Sequence, residues 1–351
     1  MSHLRDEIFE QPLIFERLLT EGLEQVRAVT RALAERPPKL VIFAARGSSD
    51  NAVTYAHYLI ETYLGLPVSS SAPSIYSLYH RFPNLSDALV IGISQSGQSP
   101  DVVGVLAEAQ RQGALTVGIT NDRSSPLAQA ADLLIEQCAG QELSVAASKT
   151  YTTQLMALGM LVAELSQDAQ LLTGIHRLPA AARLAIELEE AAEHVAEDLA
   201  QAPACLVLAR GFNYATAFEL ALKFKELAYL FAEPYSAADF MHGPMALAQR
   251  GLPAIVIGVR GPSEEGMLEL AGQLVDAGVG LFPISDDPDL LAKATSAHSL
   301  SLVAALADVP ESLSPMISVI PGQLLAMYLA ARRRGGNLDQ PRRLAKVTRT
   351  E

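Results

Sequence analysis

Short apolar segments alternate with amphipathic ones along most of the chain. Residues 1 to about 36 predict one or two amphipathic helices, whose apolar positions follow the helical period: Ile14, Leu18, Leu23, Val26 and Val29. Buried strands are then predicted at 39–45, 67–69, 88–93 and 115–119, each followed by a polar turn into a helix. This alternation predicts a parallel sheet covered by helices on both faces, with ligands at the carboxyl ends of the strands.

The second half of the chain repeats the first. Residues 45–47 recur at 209–211, 91–93 at 257–259 and 119–122 at 284–287, which are offsets of 164, 166 and 165 residues. A near-constant offset predicts two tandem α/β domains, each a three-layer, flavodoxin-like sandwich. The boundaries we expect are an N-terminal helical segment (1–30), a first domain (31–170), a helical linker (171–200), a second domain (201–335) and a C-terminal tail (336–351).

Composition excludes several classes of function. The net charge of −13 argues against a nucleic-acid or anionic-membrane partner, and half of the residues are hydrophobic, as in a globular protein. Cys138 and Cys205 show neither a disulfide framework nor metal-ligand spacing. Residues 1–12 lack the pattern of a targeting peptide, and no apolar run reaches the roughly 18 residues that span a bilayer. We therefore expect a cytoplasmic protein without a metal site.

Residues 91–101 change from buried strand to polar loop to helix start. Ser99-Pro100-Asp101 has the pattern of an N-cap followed by the first helical positions, and the loop before it is rich in serine and glycine. Backbone N–H groups at a helix start can hold a phosphate without a nearby cation. The alternative is a turn that only caps a helix. The equivalent loop of the second half, 260–265, carries carboxylates, so one phosphate site per chain is expected, in the first half.

Two stretches of the second half offer candidates for chemistry. Glu219, Lys223 and Glu226 fall within about 60° of one another on a helix that is otherwise mostly apolar. They form either a solvated stripe of salt bridges or a buried group with a carboxylate suited to base catalysis. His242 lies in a tight Gly-Pro loop and is either inert or a fixed catalytic histidine. By composition alone, the C-terminal tail with Lys346 is a solvated terminus.

Five motifs together resemble the tandem sugar-isomerase (SIS) domain proteins. The chain is similar to the isomerase half of glucosamine-6-phosphate synthase, a glutamine–fructose-6-phosphate aminotransferase, and to the stand-alone SIS-type glucosamine-6-phosphate deaminases. The resemblance covers residue 30 to the end of the chain, and the motifs that carry it are the SxSGxS loop at 94–99, SVAASKT at 144–150, ELALKFKE at 219–226, MHGP at 241–244 and the tail landmarks at 339–341 and 344–346.

The resemblance implies a role for each candidate residue. The sugar phosphate would be held by Ser48, Ser94, Gln95, Ser96 and Ser99, and the sugar lined by Val145, Ala147 and Lys149. The catalytic group would comprise Glu226, His242, Lys346, Lys223 and Glu219. Within it, Glu226 would move a proton between C1 and C2, His242 would open the ring in the neighbouring subunit of a homodimer, and Lys346 would lie near the reacting end of the sugar. The family's reaction implies no metal or organic cofactor.

The expected substrate is a phosphorylated hexose or amino hexose, and the expected reaction converts glucosamine 6-phosphate to fructose 6-phosphate and ammonia. Ala147 stands where the synthases have a serine, and the loop after Gly97 reads Gln-Ser-Pro-Asp where they have Glu-Thr. Both differences favour a resemblance to the deaminases. The synthases also begin with a catalytic cysteine on a glutaminase domain, where this chain has Ser2. The alternatives are a synthase-like isomerase or aminotransferase fed by an ammonia-delivering partner, a fructosamine-type phosphate deglycase, and a non-catalytic sugar-phosphate sensor.

Overall fold

The computed structural model describes residues 2–347; residues 1 and 348–351 lie outside the description, and with them the last part of the predicted tail. The described chain forms two compact units. The N-terminal sheet unit comprises 13–142, 149–176 and 345–347, and the C-terminal sheet unit comprises 2–12, 143–148 and 177–344. Each unit holds one five-stranded parallel sheet flanked by helices, which confirms the predicted fold of two tandem α/β domains.

The N-terminal sheet has the order β2-β1-β3-β4-β5. Its strands are β1 Leu40–Ala44, β2 Val68–Ser70, β3 Ala88–Ile93, β4 Leu115–Thr120 and β5 Leu133–Glu136. Its helices are α3 Leu23–Glu35, α4 Ser48–Leu64, α5 Ser74–Ser77, α6 Pro100–Arg111, α7 Pro126–Gln129 and α8 Lys149–Ser166. The four strands predicted in this region are confirmed, and β5 is an addition that the hydrophobic pattern did not reveal.

The C-terminal sheet has the order β10-β9-β8-β6-β7, which is the same connectivity one repeat later. Its strands are β6 Ala204–Ala209, β7 Phe231–Ser236, β8 Pro253–Gly258, β9 Gly280–Ser285 and β10 Leu300–Ser301. Its helices are α1 His3–Phe9, α10 Glu189–Leu199, α11 Tyr214–Ala228, α12 Ala237–Met241, α13 Glu264–Asp276, α14 Pro288–Leu291 and α15 Pro315–Arg333. Helices α2 Gln11–Arg17 and α9 Ala169–Ile186 contribute residues to both units.

A glycine at the same place in each sheet shows that the repeat extends to packing. A Cβ at Gly92 in β3 would overlap Leu106 of α6 and come within 2.9 Å of Leu127 of α7. A Cβ at Gly258 in β8 would lie 2.5 Å from Leu290 of α14 and 3.3 Å from Met267 of α13. Both glycines let the following helices pack closely on the sheet.

The N-terminal region contains helices α1, α2 and α3, with a π-helical turn at Leu18–Gly22 before α3. Of the five apolar residues that the helical spacing singled out, Ile14, Leu18, Val26 and Val29 are at most 2% exposed, whereas Leu23 is only half-buried. Leu13 on α2 is 60% exposed. Among residues 2–347, no helix is both long and apolar enough to cross a membrane.

Candidate functional site

The predicted anion-binding loop lies at the carboxyl edge of the N-terminal sheet. Strands β1 and β3 are paired in parallel, with Ala44 opposite Gly92, so the loops that follow them share this edge. Two backbone hydrogen bonds, each 3.1 Å, anchor the loop after β3 to the end of β4 and to the residue that follows it. The Ser94 N–H donates to the Ile119 carbonyl, and the Asn121 N–H donates to the Gln95 carbonyl. The loop is therefore preformed.

An ion pair joins this loop to the turn after β1. The Arg46 Nε donates to Asp101 Oδ2 at 2.8 Å, and the Asp101 side chain is buried at the start of α6. The turn after β1 continues through Gly47 into Ser48, the first residue of α4, which is half-buried. The ion pair thus joins the turn that leads into Ser48 to the start of α6, which directly follows the loop at 94–99.

The hydroxyls of this loop differ in what they bind. Ser94 Oγ accepts the Gly97 N–H at 3.1 Å, and Ser96 Oγ accepts the Gln98 N–H at 3.3 Å. Ser99 occupies the N-cap position of α6, but its side chain makes no capping hydrogen bond. The Ser125-Pro126 start of α7 has the same sequence, and there the serine oxygen accepts the Ala128 N–H at 3.3 Å. The hydroxyl of Ser99 is therefore not used to cap α6, which favours the interpretation of the loop as an anion site.

Gly97 gives the loop its shape. Its φ is +62°, a left-handed conformation that side chains other than glycine rarely adopt. A Cβ there would overlap the Ser125 side chain and lie 2.9 Å from Thr120 Oγ1. A larger residue at position 97 would therefore strain the backbone and clash with Ser125 and Thr120.

We expect Gly97→Ala to lower the thermal midpoint and to weaken binding of inorganic phosphate at least tenfold, because the loop must move to admit the new carbon. Phosphate binding is measured by titration calorimetry and stability by thermal unfolding. Gly104→Ala on α6 is the matched control, since a Cβ there meets nothing within 4 Å. That variant should bind phosphate as the wild type does, and equal binding by both variants would contradict the role of the loop.

A polar cavity of about 380 Å³ adjoins the loop within the same unit, and its size is in the range of small-molecule sites. The residues that line it are Gln95, Ser96, Gln98, Asn121, Asp122, Gly140, Gln141 and Glu142. The side-chain amides of Gln95 and Gln98 make no hydrogen bond with other residues in the described ranges, so both can serve a ligand.

Lys346 is paired with a buried carboxylate in this unit. Its Nζ donates to Glu142 Oε2 at 2.6 Å, and the Glu142 side chain is fully buried. Glu142 also accepts from the Thr150 N–H at 3.2 Å and from Thr150 Oγ1 at 2.7 Å. Lys346 is 25% exposed while residues 342–345 and 347 are exposed, so the tail is solvated as composition predicted but the Lys346 ammonium is drawn into a pair with a buried carboxylate. Lys149, at the start of α8, is buried in the same unit.

Glu219, Lys223 and Glu226 form an ion triad on α11 in the C-terminal sheet unit. Lys223 Nζ lies 3.3 Å from Glu219 Oε1 and 2.6 Å from Glu226 Oε2. The side chains of Glu219 and Lys223 are 0% and 2% exposed, whereas Glu226 is 24% exposed. Burial acts to lower the pKa of Lys223, but the two carboxylates outweigh it and raise that pKa above its ordinary value. The solvated-stripe interpretation is wrong, and Glu226 is the member of the triad that solvent can reach.

His242 follows α12 in the same unit and is exposed. Its backbone N–H donates to the Asp239 carbonyl at 3.1 Å, and Gly243 next to it has a φ of +136°. The imidazole makes no hydrogen bond or ion pair with other residues of the described chain, including those of the triad. The turn fixes the backbone of His242 and leaves its ring available.

In the C-terminal sheet unit, a carboxyl group of the chain itself lies in the loop that corresponds to the predicted anion-binding loop. Ser263 precedes α13, and its hydroxyl donates to Glu311 Oε1 at 2.7 Å. Burial and the nearby Asp286 and Glu264 raise the pKa of Glu311, while hydrogen bonds from the Ser263 side chain and backbone act to lower it. A Cβ at Gly261 would overlap the Glu311 carboxylate. The second copy thus fills this position with a carboxyl group of its own chain.

Val145 and Ala147 lie, half-buried, in the loop 143–148 of the C-terminal sheet unit. The Val145 N–H donates to the carbonyl of Asp339 at 2.9 Å. Sequence reasoning singled out the groups on α11 and in the serine loop but not Glu142, whose position next to the 144–150 motif was the available signal.

Comparison with known proteins gives a consistent result. A family model described as the SIS domain matches residues 36–164 and 198–333, one match around each sheet. The glutamine–fructose-6-phosphate aminotransferase (isomerizing) of Pyrococcus horikoshii is 34% identical over 353 residues, covering 98% of this chain and 57% of that protein. The chain therefore spans a little over half the length of that relative.

Two crystal structures extend the comparison. A protein from Silicibacter pomeroyi DSS-3, provisionally described as a phosphosugar isomerase, matches with a TM-score of 0.85 and 35% identity, covering 97% of this chain and 100% of that one. The C-terminal domain of glucosamine-fructose-6-phosphate aminotransferase from Francisella tularensis matches with a TM-score of 0.83 and 26% identity, covering 97% and 98%.

Proposed function

Because this chain belongs to the SIS domain family, with one copy of the domain around each sheet, we propose that it is a phosphosugar-converting enzyme. We propose more specifically that it converts glucosamine 6-phosphate to fructose 6-phosphate and ammonia. The S. pomeroyi protein, similar over its whole length, is provisionally described as a phosphosugar isomerase, which supports the substrate class.

The observation that carries the proposal is the ion triad on α11. A carboxylate that is to move a proton must be reachable by the substrate and fixed in direction. Glu226 is 24% exposed and is held by the buried ammonium of Lys223 at 2.6 Å, so it meets both conditions.

The proposed reaction acts on the open-chain aldehyde of the amino sugar. Glu226 takes the proton from C2, which leaves an enolamine across C1 and C2, and returns a proton to C1. O1 gains a proton and the amine nitrogen loses one by exchange with water, so the product has an alcohol at C1 and an imine at C2. Water then adds to C2 and ammonia leaves, which yields the ketose. His242, exposed and without a partner among the described residues, is proposed to open the ring in a second copy of the chain.

Binding of the phosphate group supplies the orientation that this proton transfer requires. The preformed serine loop, with the hydroxyl of Ser99 not used as a cap, supports this role. The side-chain amides of Gln95 and Gln98 offer further donors beside it.

The test is an assay for free ammonia and fructose 6-phosphate from purified protein given glucosamine 6-phosphate. N-acetylglucosamine 6-phosphate and galactosamine 6-phosphate serve as comparison substrates. Equimolar ammonia and fructose 6-phosphate would support deamination. Tight binding without product from any of the three would exclude it.

A second candidate is the reverse direction, because the P. horikoshii relative is an aminotransferase at 34% identity. The same groups would then form glucosamine 6-phosphate from fructose 6-phosphate and ammonia. Incubating the protein with fructose 6-phosphate and either ammonium or glutamine separates the two directions. Faster synthesis than deamination at physiological ammonium would favour this alternative.

We expect Lys346→Met to lower kcat/KM for glucosamine 6-phosphate about 100-fold, because one charged donor near the reacting carbons is lost. Steady-state kinetics provide the measurement. Arg343→Met, which removes a charge from an exposed position in the same tail, is the control and should leave kcat/KM within about twofold. Equal losses in both variants would show that Lys346 acts only through the general charge of the tail.

A further inference from the structure

The loop 143–148 is held by side chains from the first residues of the chain. The Glu7 carboxylate, buried on α1, accepts the backbone N–H groups of Leu143, in a short contact, and of Ser144 at 3.3 Å. A buried carboxylate that accepts two backbone N–H groups fixes both in one orientation, since charge-assisted hydrogen bonds are the stronger kind. Glu7 therefore fixes the beginning of the loop.

The middle of the loop is held by the turn at Asp339. The Asp339 carbonyl accepts the Val145 N–H at 2.9 Å. Its carboxylate accepts from Ser2 Oγ at 2.6 Å and from the Leu4 N–H at 2.8 Å. Burial would raise the pKa of Asp339, but these hydrogen bonds lower it below its ordinary value, so the group is ionised near neutral pH. The turn that holds Val145 is itself fixed to the start of α1.

The end of the loop is held by α15. The Gln323 amide donates to the Ser148 carbonyl at 3.3 Å and accepts from the Gln11 amide at 2.9 Å. Both glutamines are buried. Three separate contacts therefore fix the loop, and residues of 2–11 take part in or support each of them.

We propose that Glu7 is a positioning residue, which holds the backbone of loop 143–148 in the conformation that contacts the sugar. This inference rests on the proposed function, in which Val145 and Ala147 line the sugar. Neither the local sequence around Glu7 nor its place near the beginning of the chain indicates such a role. The geometry assigns it, because a carboxylate at 4% exposure is directed at two amide groups of this loop.

The test compares Glu7→Ala, Glu7→Gln and the control Asp6→Ala, which removes the same charge from an exposed neighbour on α1. Hydrogen exchange of the peptide covering 143–148 measures whether the loop is released, and thermal unfolding reports on the whole fold. Kinetics and calorimetry with glucosamine 6-phosphate measure the consequence for the substrate. Should Glu7→Ala not fold, Glu7→Asp takes its place, since it keeps the charge but withdraws the carboxylate by one methylene.

For Glu7→Ala we expect at least tenfold faster exchange in 143–148 and a KM raised at least tenfold, with kcat within about threefold. A contact made to the sugar in both the ground state and the transition state affects KM in this way, whereas partial unfolding lowers the active fraction and hence kcat. Glu7→Gln keeps an acceptor oxygen but loses the charge, so its effects should lie between those of the wild type and of Glu7→Ala. Asp6→Ala should change neither property.

Three results would overturn the proposal: unchanged exchange in 143–148, faster exchange with an unchanged KM, or the same change in Asp6→Ala. If the wild-type protein converts no amino sugar phosphate, the proposed function fails on its own. Exchange rates and the calorimetric affinity for glucosamine 6-phosphate then still decide the role of Glu7.

Discussion

Glu226→Gln is expected to lower kcat for glucosamine 6-phosphate at least about 1,000-fold while the affinity for the substrate stays within about threefold. Positioned general acid–base groups contribute roughly 100- to 10,000-fold, and an amide cannot accept a proton at neutral pH. Glutamine has nearly the same shape, and its oxygen can still accept from Lys223, which lies 2.6 Å from the native carboxylate. The fold should therefore be retained while proton transfer is lost.

The measurement combines steady-state kinetics with titration calorimetry on the same preparation. Glu265→Gln is the matched control, because it makes the same chemical change at an exposed position on α13. It should keep the wild-type kcat. Turnover by Glu226→Gln within tenfold of the wild type would remove Glu226 as the proton carrier and direct attention to Lys346 and His242.

Lys223→Met is expected to lower the free energy of unfolding by about 3–5 kcal/mol, the usual cost of leaving a buried charge without its partner. Glu219 would lose the ammonium that lies 3.3 Å away, and its side chain is 0% exposed, so water cannot replace that contact. Methionine fills a similar volume, which limits the loss from packing. Denaturant unfolding followed by circular dichroism measures the change.

The pH dependence of the stability lost in Lys223→Met follows from the direction in which folding shifts the pKa of Lys223. The folded-state pKa of Lys223 is raised, so the stability from its charge is fully present below the unfolded pKa and is lost only as the pH rises through the folded pKa. The difference between Lys223→Met and the wild type should therefore be constant from pH 7 to 9. Lys225→Met, on the exposed face of the same helix, should cost less than about 0.5 kcal/mol. A similar cost for both lysines would contradict the buried triad.

The local pattern of apolar and polar residues was sufficient to predict the sheet architecture, because strands, turns and helix starts are each encoded by residues close together in the sequence. The predicted strand at 88–93 coincides with β3, and the predicted helix start at Ser99-Pro100 coincides with the start of α6. The triad on α11 was also predictable, since its three members lie within two turns of one helix. What the pattern left open was whether this stripe faces solvent, which depends on the elements packed against it.

Contacts between distant parts of the chain were not predictable in this way. Glu142 and Lys346 are 204 residues apart, and Glu7 and Leu143 are 136 apart. No periodicity relates such positions, because their meeting depends on the complete fold. The seven-residue motif at 144–150 marked the region, but the carboxylates that hold it, Glu7 and Glu142, lie outside the motif.

Glu311 shows how the two halves of the chain have diverged. A helix start with exposed N–H groups needs a negative group or water. In the second copy the Glu311 carboxylate, which is tethered to the same chain, accepts the hydroxyl of Ser263 directly before α13. A free anion could reach the hydroxyl of Ser263 only by displacing Glu311, which is part of the chain and cannot diffuse away.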